Sequence, residues 1–412
     1  MLRNYLKIAF KVLLRRKFFT FISLFAISFT LVVLMVATAL FDHVFGAHAP
    51  ENKLERMLGV YMVQLRGEHG QSTGTPGYGF LDRYARHLPN VEQMAMCEMV
   101  GYKDAYRQGE KIKLFFKRTD GEFWRVFDFK FLEGGPLTDE DEKNANFVAV
   151  INEATRQKFF DNQPAVGKTI EIDGQRFRVI GVVANVPILR FVPFSDMWVP
   201  ISTSNAKNYR TSLQGQFQGI LVAKSRDDFP AIKSEFASRM SSVEFPDPRQ
   251  YNQAFSGTDT LFEFISRMMA GRQSENHPKT LFTIILGLIL LFMVLPTINL
   301  INLNVSRIME RASEIGVRKA FGASSWTLVG QFVVENVLLT LLGGLIGFLL
   351  SLPILRLIEQ SNLIPYAEFH FNYRIFLYGL AMAVFFGLFS GVYPAWKMSR
   401  LHPVQALKGG GR

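Results

Sequence analysis

Apolar residues are concentrated in four long stretches of the chain, at 18–41, 281–301, 328–352 and 375–393. The first stretch carries no charged residue. At about 1.5 Å per helical residue it exceeds a hydrocarbon core of roughly 30 Å. The other three stretches are similarly apolar and of similar length. The pattern therefore predicts four transmembrane helices.

A cleaved signal peptide is the alternative interpretation of the first stretch. Basic residues precede it, and the Ala-His-Ala sequence at 47–49 resembles a cleavage site. The apolar stretch is, however, much longer than the ~7–15 residues that are usual for the core of a signal peptide. A retained membrane anchor is therefore favoured.

Basic residues are unevenly distributed around the four stretches, and this distribution predicts their orientation. Lys and Arg collect at the cytoplasmic ends of membrane helices. The loop at 353–374 carries only Arg356 and Arg374, so we expect it to lie outside the cytoplasm, as does the long segment at 42–280. The predicted cytoplasmic segments, including both termini, are 1–17, 302–327 and 394–412.

The first segment, 1–17, has an amphipathic pattern. Polar and apolar residues fall on separate faces of a helix, which predicts a helix lying on the inner leaflet. Basic anchoring of the first transmembrane helix is a simpler interpretation, and the two are compatible. The polar face holds Asn4, Lys7, Lys11 and Arg15, and the apolar face holds Leu2, Leu6, Ala9 and Leu13.

The long segment at 42–280 mixes the patterns of strands and helices. Asp173-Gly174 separates two β-rich runs, which is typical of a type I′ hairpin whose two central residues have positive φ. Interleaved strands and helices predict a large α+β domain inserted between transmembrane helices 1 and 2. Strand-like runs lie at 58–65, 111–116, 147–152 and 219–224, and helix-like runs at 152–160 and 227–240.

Composition is consistent with a chain that has both membrane and soluble parts. Of its 412 residues 49% are hydrophobic and 20% are charged. The net charge of +11 is explained by cytoplasmic Lys and Arg, and no zinc spacing or basic-aromatic stripe supports nucleic-acid binding. The single cysteine, Cys97, cannot form an intrachain disulfide or a metal cluster. The acidic run at 138–142 could bind a cation, but a solvated loop is favoured.

The cytoplasmic segment at 302–327 contains a short charged helix. Its charges repeat at spacings of three and four, and Glu314 and Arg318 have the favourable i,i+4 orientation. Gly322 predicts the end of this helix, and Ser324 or Ser325 the cap of the next one. The charged stripe consists of Arg307, Glu310, Arg311, Glu314 and Arg318. A plain interfacial helix with solvated charges is the alternative.

Three strings, in order, resemble the MacB/FtsX family of ABC transporter permeases. Residues 310–324, "ERASEIGVRKAFGAS", resemble a family signature that follows the second transmembrane helix. Residues 390–408, "SGVYPAWKMSRLHPVQALK", resemble the closing pattern of the family. Residues 148–187 resemble part of a MacB-like periplasmic core domain. The resemblance covers nearly the whole chain.

This resemblance implies a mechanism called mechanotransmission. An ABC-type ATPase binds the cytoplasmic face, and its movements are passed through the membrane helices to a core domain at 42–280, outside the membrane. The chain has no phosphate-binding G-x-x-x-x-G-K-[ST] loop. We therefore expect no enzyme activity, cofactor or metal in this chain, with ATP and Mg²⁺ bound by a partner ATPase subunit.

The same resemblance implies further partners, a location and an ATPase contact. A second permease copy or a similar permease would complete a dimer in the bacterial inner membrane, and a periplasmic adaptor or outer-membrane partner is possible in the family. Val317 or Ile315 would supply an apolar anchor, and charges would set the register. The candidate ATPase contacts are Arg311, Glu314, Ile315, Gly316, Val317, Arg318, Lys319 and Gly322.

Polar and small residues also mark the predicted transmembrane helices. Glu335 is an intramembrane ionisable residue and hence a functional candidate, although a hydrogen bond to a neighbouring helix is favoured. Two G-x-x-x-G pairs predict close helix packing within the bundle or across a dimer. These pairs are Gly343 with Gly347 and Gly387 with Gly391.

Three functions remain to be compared. The first is an ABC permease for export or extraction of a substrate. The second is an FtsX-like regulatory membrane protein that activates an extracytoplasmic partner, such as a cell-wall hydrolase, without transporting anything. The third is a membrane-anchored enzyme, for which the sequence shows no nucleophile–base arrangement. The first is favoured.

Overall fold

A computed structural model of the protein describes most of the chain. The described residues are 2–15, 17–107, 109–206, 208–270, 278–310, 317, 321, 324–361, 364–366, 369, 373, 376–381, 383–385, 388 and 392. They form two compact units. The helical unit comprises Met1–Asp42, Phe282–Ser361 and Phe369–Arg412, and the strand unit comprises His43–Leu281 and Asn362–Glu368.

The described residues include ten α-helices whose two ends are both described, and fourteen strands. The helices are α1 Leu2–Arg15, α2 Lys17–Phe45, α3 Tyr78–Phe80, α4 Phe123–Val126, α5 Asp139–Lys143, α6 Glu153–Phe160, α7 Phe229–Met240, α8 Leu261–Ala270, α9 Pro278–Glu310 and α10 Ser325–Gln360. The strands are β1 Met57–Val60, β2 Val63–Gly67, β3 Gly70–Pro76, β4 Val91–Glu98, β5 Gly101–Arg107, β6 Glu110–Thr119, β7 Phe131–Gly134, β8 Val148–Asn152, β9 Thr169–Ile172, β10 Gln175–Val183, β11 Met197–Pro200, β12 Gln214–Gly215, β13 Phe217–Ala223 and β14 Gln253–Ser256.

Two helices in the described part of the chain are long and apolar enough to cross a membrane. They are α2 and the part of α10 at Val329–Gln360. Shorter apolar helical stretches lie at Pro278–Leu291, within α9, and at Phe376–Phe385. The predicted count of four transmembrane helices stays a prediction, since only two described helices are both long and apolar enough.

The helical unit is held together by an apolar core between α1, α2 and α10. Leu13, Ile27, Leu31 and Leu339 are buried together. The Thr20 hydroxyl donates a hydrogen bond of 2.9 Å to the Leu13 carbonyl and so ties α2 to the end of α1. On α1, Ala9 and Leu13 are buried as the amphipathic pattern requires, but Leu6 of the same predicted face is exposed.

The larger sheet of the strand unit partly closes on itself. Its order is β1-β13-β4-β6-β11-β8-β10-β9-β5, with β7 on β10, and β5 also pairs with β6. The path from β6 through β11, β8, β10, β9 and β5 therefore returns to β6. Inward side chains of this closed part, such as Phe116, Phe177 and Val199, form one buried cluster. Closure removes the exposed edges that an open sheet would leave.

A smaller sheet packs beside a second buried cluster. Its order is β12-β3-β2-β14. Leu65 of β2, Phe80 of α3 and Phe236 of α7 share this cluster. The strand unit thus contains both strands and helices, with mixed pairing, since β10–β8 and β11–β6 are parallel and the other ladders are antiparallel.

Several local predictions for this unit are confirmed. Strands occupy the runs at 111–116, 147–152 and 219–224, and helices the runs at 152–160 and 227–240, with ends that agree within three residues. Asp173 and Gly174 have φ values of +49° and +75°. Ile172 pairs with Gln175 across them, as the type I′ hairpin requires.

Two local predictions are wrong. The run at 58–65 is two strands rather than one, because Val60 pairs with β13 in the larger sheet whereas Val63 pairs in the smaller sheet. The acidic run at 138–142 is not a loop but the start of α5. Its N-terminus is closed by a capping box, in which the Thr138 hydroxyl accepts from the Asp141 N–H and the Asp141 carboxylate accepts from the Thr138 N–H.

Candidate coupling sites

The predicted ATPase-contact loop is only partly described. Helix α9 extends to Glu310, which carries the chain into the segment at 302–327. Val317 is helical, and the Phe321 N–H donates a 3.1 Å hydrogen bond to its carbonyl. Ser324 caps α10 by accepting from the Thr327 N–H at 3.2 Å, which confirms one of the two predicted caps. Arg311, Glu314, Ile315, Gly316, Arg318, Lys319 and Gly322 lie outside the described residues.

Large apolar side chains near this loop are exposed in the chain by itself. Phe321 is 88% exposed, Trp326 is 78% exposed and Val317 is 46% exposed. Exposed aromatic residues close together mark a surface that a partner or a membrane covers. Val317 is one of the contacts that the sequence predicts, whereas Phe321 and Trp326 are not. The pattern that would have indicated them is a large aromatic residue within a charged segment.

Gly343 and Gly347 lie where α10 meets α2. A Cβ atom added at Gly343 would stand 2.7 Å from Cγ2 of Ile27. At Gly347 it would stand 3.0 Å from the Ser28 carbonyl oxygen and 3.1 Å from Cβ of Leu31. The absence of side chains at both positions lets the two helices approach closely.

Two further glycines make similar contacts that the sequence pattern did not indicate. A Cβ at Gly344 would stand 2.6 Å from Cδ1 of Leu380, and one at Gly379 would stand 3.0 Å from Cδ2 of Leu34. The helical stretch at Phe376–Phe385 therefore packs against both α2 and α10. The predicted pair Gly387 and Gly391 lies outside the described residues.

Glu335 is buried on α10 beside other polar residues. Its Oε1 accepts a hydrogen bond of 3.0 Å from Nε2 of Gln331, one turn earlier on the same helix. Thr340 in turn donates to the Asn336 carbonyl at 2.9 Å. Polar side chains on this face of α10 thus satisfy part of their hydrogen-bonding capacity within the helix itself.

A buried group of charges in the strand unit was not indicated by the sequence. Nη1 of Arg190 lies 2.9 Å from Oε2 of Glu51. Lys117 is fully buried and donates to the carbonyls of Phe191, at 3.1 Å, and of Val192. Burial raises the pKa of Glu51, against the opposing effect of Arg190, and lowers the pKa of Lys117. Glu51 follows α2 closely in the chain, so this group anchors the first segment of the unit.

Asp120 is a second buried acid of the strand unit. Its carboxylate accepts from the Met96 N–H at 2.8 Å and from the Phe123 N–H at 2.9 Å. Burial nevertheless raises the pKa of Asp120 to about 7. Burial likewise raises the pKa of the Cys97 thiol to about 11, so this thiol is unreactive. Among the described residues, no group of three or more His, Cys, Asp or Glu side chains could hold a metal ion.

Family comparisons assign both halves of the chain. A family model described as the MacB-like periplasmic core domain matches residues 20–239. A second, described as the FtsX-like permease C-terminal, matches residues 283–403. The chain belongs to the MacB/FtsX-type ABC transporter permeases.

Individual relatives are distant and differ in length. The chain is 24% identical over 322 residues to an uncharacterized ABC transporter permease, YknZ of Bacillus subtilis, covering 78% of this chain and 76% of that protein. It is 27% identical over 285 residues to the macrolide export ATP-binding/permease protein MacB of Pasteurella multocida, covering 69% of this chain and 41% of that protein. The chain thus spans less than half the length of this MacB.

A solved structure also matches the chain in part. The periplasmic region of MacB from Actinobacillus actinomycetemcomitans aligns with a TM-score of 0.36 at 15% identity, covering 49% of this chain and 88% of that one.

Proposed function

We propose that the protein is the permease subunit of a mechanotransmission-type ABC transporter. A separate ATPase subunit hydrolyses ATP, and the permease converts the resulting movement into a conformational change of the strand unit that exports or extracts a substrate. One observation carries this proposal: a MacB-like core and an FtsX-like C-terminal half occur in order within a single chain.

The input site of this mechanism is the loop at 302–327. The exposed side chains of Val317 and Phe321 offer the ATPase an apolar anchor, and the predicted charges from Arg311 to Lys319 set the register and the choice of partner. ATP and Mg²⁺ are bound by the ATPase, so the permease needs no cofactor of its own. Association of this kind places the loop, and both termini, in the cytoplasm.

Close packing between membrane helices transmits the movement. Gly343 lies against the Ile27 side chain, and Gly347 lies against Ser28 and Leu31, so the lack of side chains at the two glycines brings α10 close to α2. Packed interiors are stiff, so a shift of α10 displaces α2, which leads into the strand unit. This unit is the extracytoplasmic output domain, and the whole assembly lies in the bacterial inner membrane.

A complete transporter contains two permeases. A second copy of this chain or a similar permease supplies the other half, and a periplasmic adaptor or outer-membrane partner receives the substrate. The MacB relative is named for macrolide export. Export is therefore the favoured direction of transport.

An FtsX-like regulatory function is the second candidate. The match of residues 283–403 to the FtsX-like C-terminal family favours it, and the same ATPase contact would serve it. In that function the strand unit activates an extracytoplasmic partner, such as a cell-wall hydrolase, and no substrate crosses the membrane.

Co-purification tests the ATPase contact. The full chain, purified from its own cells with the associated ATPase and placed in lipid nanodiscs, is expected to hydrolyse ATP. The charge reversals Glu314→Lys and Arg318→Glu are expected to release the ATPase, whereas reversal of the exposed Glu92, in the strand unit, is not. Retention of the ATPase by both loop variants would show that the contact lies elsewhere.

Labelling tests the orientation, and a transport assay separates the two functions. Cysteine introduced at Val317 should react only with membrane-permeant maleimides in intact cells. Labelling by an impermeant reagent would place the loop outside and overturn the mechanism. ATP-dependent release of a substrate from vesicles supports export, whereas ATP-dependent activation of a hydrolase without such release supports the regulatory function.

A further inference from the structure

A short segment between α10 and the last helical stretch belongs to the strand unit. The Tyr366 hydroxyl donates a hydrogen bond of 3.0 Å to Oδ1 of Asp196. The Pro365 carbonyl accepts one of 3.2 Å from the Ile188 N–H. The ring of Tyr366 lies 6.4 Å from that of Phe194, centroid to centroid. The first part of the predicted loop at 353–374 is thus the end of α10, which reaches Gln360, and the segment at 364–366 is not a free connection.

Asp196 joins several elements of the strand unit at one buried carboxylate. Besides Tyr366, Oδ1 accepts from Nδ2 of Asn152 at 2.8 Å, and Oδ2 accepts from the Phe115 N–H at 3.0 Å. Asn152 ends β8 and caps α6, while Phe115 lies on β6. A force applied to Asp196 therefore reaches the closed part of the larger sheet directly.

The backbone of Tyr366 is held in an uncommon conformation. Its φ is +58°, in the left-handed region that bulky residues rarely adopt. Such a conformation persists where surrounding contacts over-determine it, and it is frequent at switch regions. Burial, followed by the charge of Asp196, raises the pKa of the Tyr366 hydroxyl. The hydroxyl consequently stays protonated and available as a donor.

Tyr366 follows a helix that begins at the proposed input site. Helix α10 starts at Ser325, within the predicted loop at 302–327, and ends at Gln360, with Pro353 inside it. At about 1.5 Å per residue a helix of 36 residues extends for about 54 Å. One continuous helix thus connects the ATPase-contact loop with the segment that carries Tyr366.

We propose that the hydrogen bond between Tyr366 and Asp196 is a mechanical link that passes the movement of α10 to the strand unit. This inference rests on the proposed function and adds a route to it. Helices α2 and α9 each run from one unit into the other. The hydrogen bond of Tyr366 would let the segment after α10 transmit force as well. Tyr366 acts as a positioning residue, since it touches no substrate. A donor to a buried carboxylate makes a charge-assisted hydrogen bond, which is stronger than a neutral one.

The test compares two tyrosines in the full chain bound to its ATPase in nanodiscs. Tyr366→Phe removes the hydroxyl but keeps the ring against Phe194. Tyr84→Phe is the matched control, because the buried Tyr84 hydroxyl accepts from the Glu244 N–H at 2.9 Å in the same unit but outside the loop. ATP turnover, the thermal midpoint and the ATP-dependent shift of a fluorophore at Tyr106→Cys, which replaces an exposed residue, are measured for each.

We expect Tyr366→Phe to reduce the ATP-dependent fluorescence shift at least fivefold while ATP turnover stays within twofold of the parent. Tyr84→Phe should retain the full shift. An unchanged shift in Tyr366→Phe would overturn the link but leave the proposed function intact. A Tyr366→Phe chain that fails to fold, or loses turnover together with the shift, would also overturn it, because the contact would then be structural. Absence of any shift in the parent, despite ATP turnover, would instead contradict the proposed function.

Discussion

Glu51 and Arg190 form an ion pair of 2.9 Å in which the two side chains are only 5% and 1% exposed. The pair joins the segment after α2 to the loop before β11, which are distant in the chain. Removal of both charges from water is costly, and their mutual attraction offsets this cost only while both side chains are present. The stability of the first segment of the strand unit therefore depends on Arg190, the partner of Glu51.

Breaking this pair should destabilise the strand unit strongly. Arg190→Met leaves Glu51 buried without its cation, and we expect the free energy of unfolding to fall by about 3–5 kcal/mol. Chemical denaturation of the full chain in detergent, followed by tryptophan fluorescence, measures the change. Glu92→Gln breaks the exposed pair with Arg56 and should cost less than about 1 kcal/mol. Equal effects of the two variants would show that the buried pair has no special role.

Asp120 should make the stability of the strand unit decrease with rising pH. Burial in the folded chain raises its pKa from the ordinary value of 3.8, which the unfolded chain is taken to have, to about 7. Since the folded state holds this proton more tightly, the contribution is complete below pH 4 and is lost as pH rises through 7. Each unit of pKa difference corresponds to about 1.4 kcal/mol.

Urea denaturation between pH 4 and pH 8 measures this dependence. Asp120→Asn should flatten the curve relative to the parent chain, because the amide does not titrate. Asp128→Asn, which removes an exposed carboxylate, controls for the loss of one acid. If the free energy of unfolding has the same pH dependence in the parent chain and in Asp120→Asn, the raised pKa of Asp120 is contradicted.

Two glycines of α10 should respond differently to the same substitution. A Cβ at Gly347 meets the Ser28 carbonyl and Leu31, whereas one at Gly330 has nothing within 4 Å. Gly347→Ala should therefore destabilise the helical unit by about 1–3 kcal/mol through overpacking. Gly330→Ala should be neutral or stabilising, because Ala is the better helix former. Unfolding by titration with SDS reports both, and an equal response would mean that α2 and α10 are not in close contact.

Phe321 should matter for partner binding more than for stability. Since its side chain is 88% exposed, Phe321→Ser should change the free energy of unfolding by less than about 0.5 kcal/mol. Under the proposed function it should weaken ATPase binding at least tenfold, or about 1.4 kcal/mol. Biolayer interferometry with the purified ATPase measures the affinity. Tyr106→Ser, at an exposed aromatic residue of β5, should have no effect, and equal affinities for all three chains would exclude Phe321 from the contact.

Much of the local structure could be predicted from the sequence because it depends on neighbours in the chain. The Asp173-Gly174 turn, the cap at Ser324 and the strand over 147–152 follow from residue types within a few positions. The run at 58–65 could not be divided correctly, since its break depends on two sheets whose other strands lie far away in the chain.

The candidate sites show the same division. The spacing of Gly343 and Gly347 predicts a packing face on α10, but it does not predict that Ile27 and Ser28 lie against that face. Gly344 and Gly379 also make close contacts, although no regular spacing marks them. The exposure of Phe321 and Trp326 could not be inferred either, because burial is a property of the folded chain. The predicted charges at Arg311, Glu314 and Arg318 stay predictions.

By itself, the sequence determined the apolar stretches, the hairpin turn, the cap at Ser324 and the membership in a permease family, because each is encoded by residues that are adjacent or regularly spaced. Only the tertiary structure decided that β5 returns to β6, that Glu51 meets Arg190 across 139 positions, and that Tyr366 meets Asp196 across 170 positions. Such contacts arise when distant segments are buried together, and burial forces polar groups to find partners that local sequence does not specify.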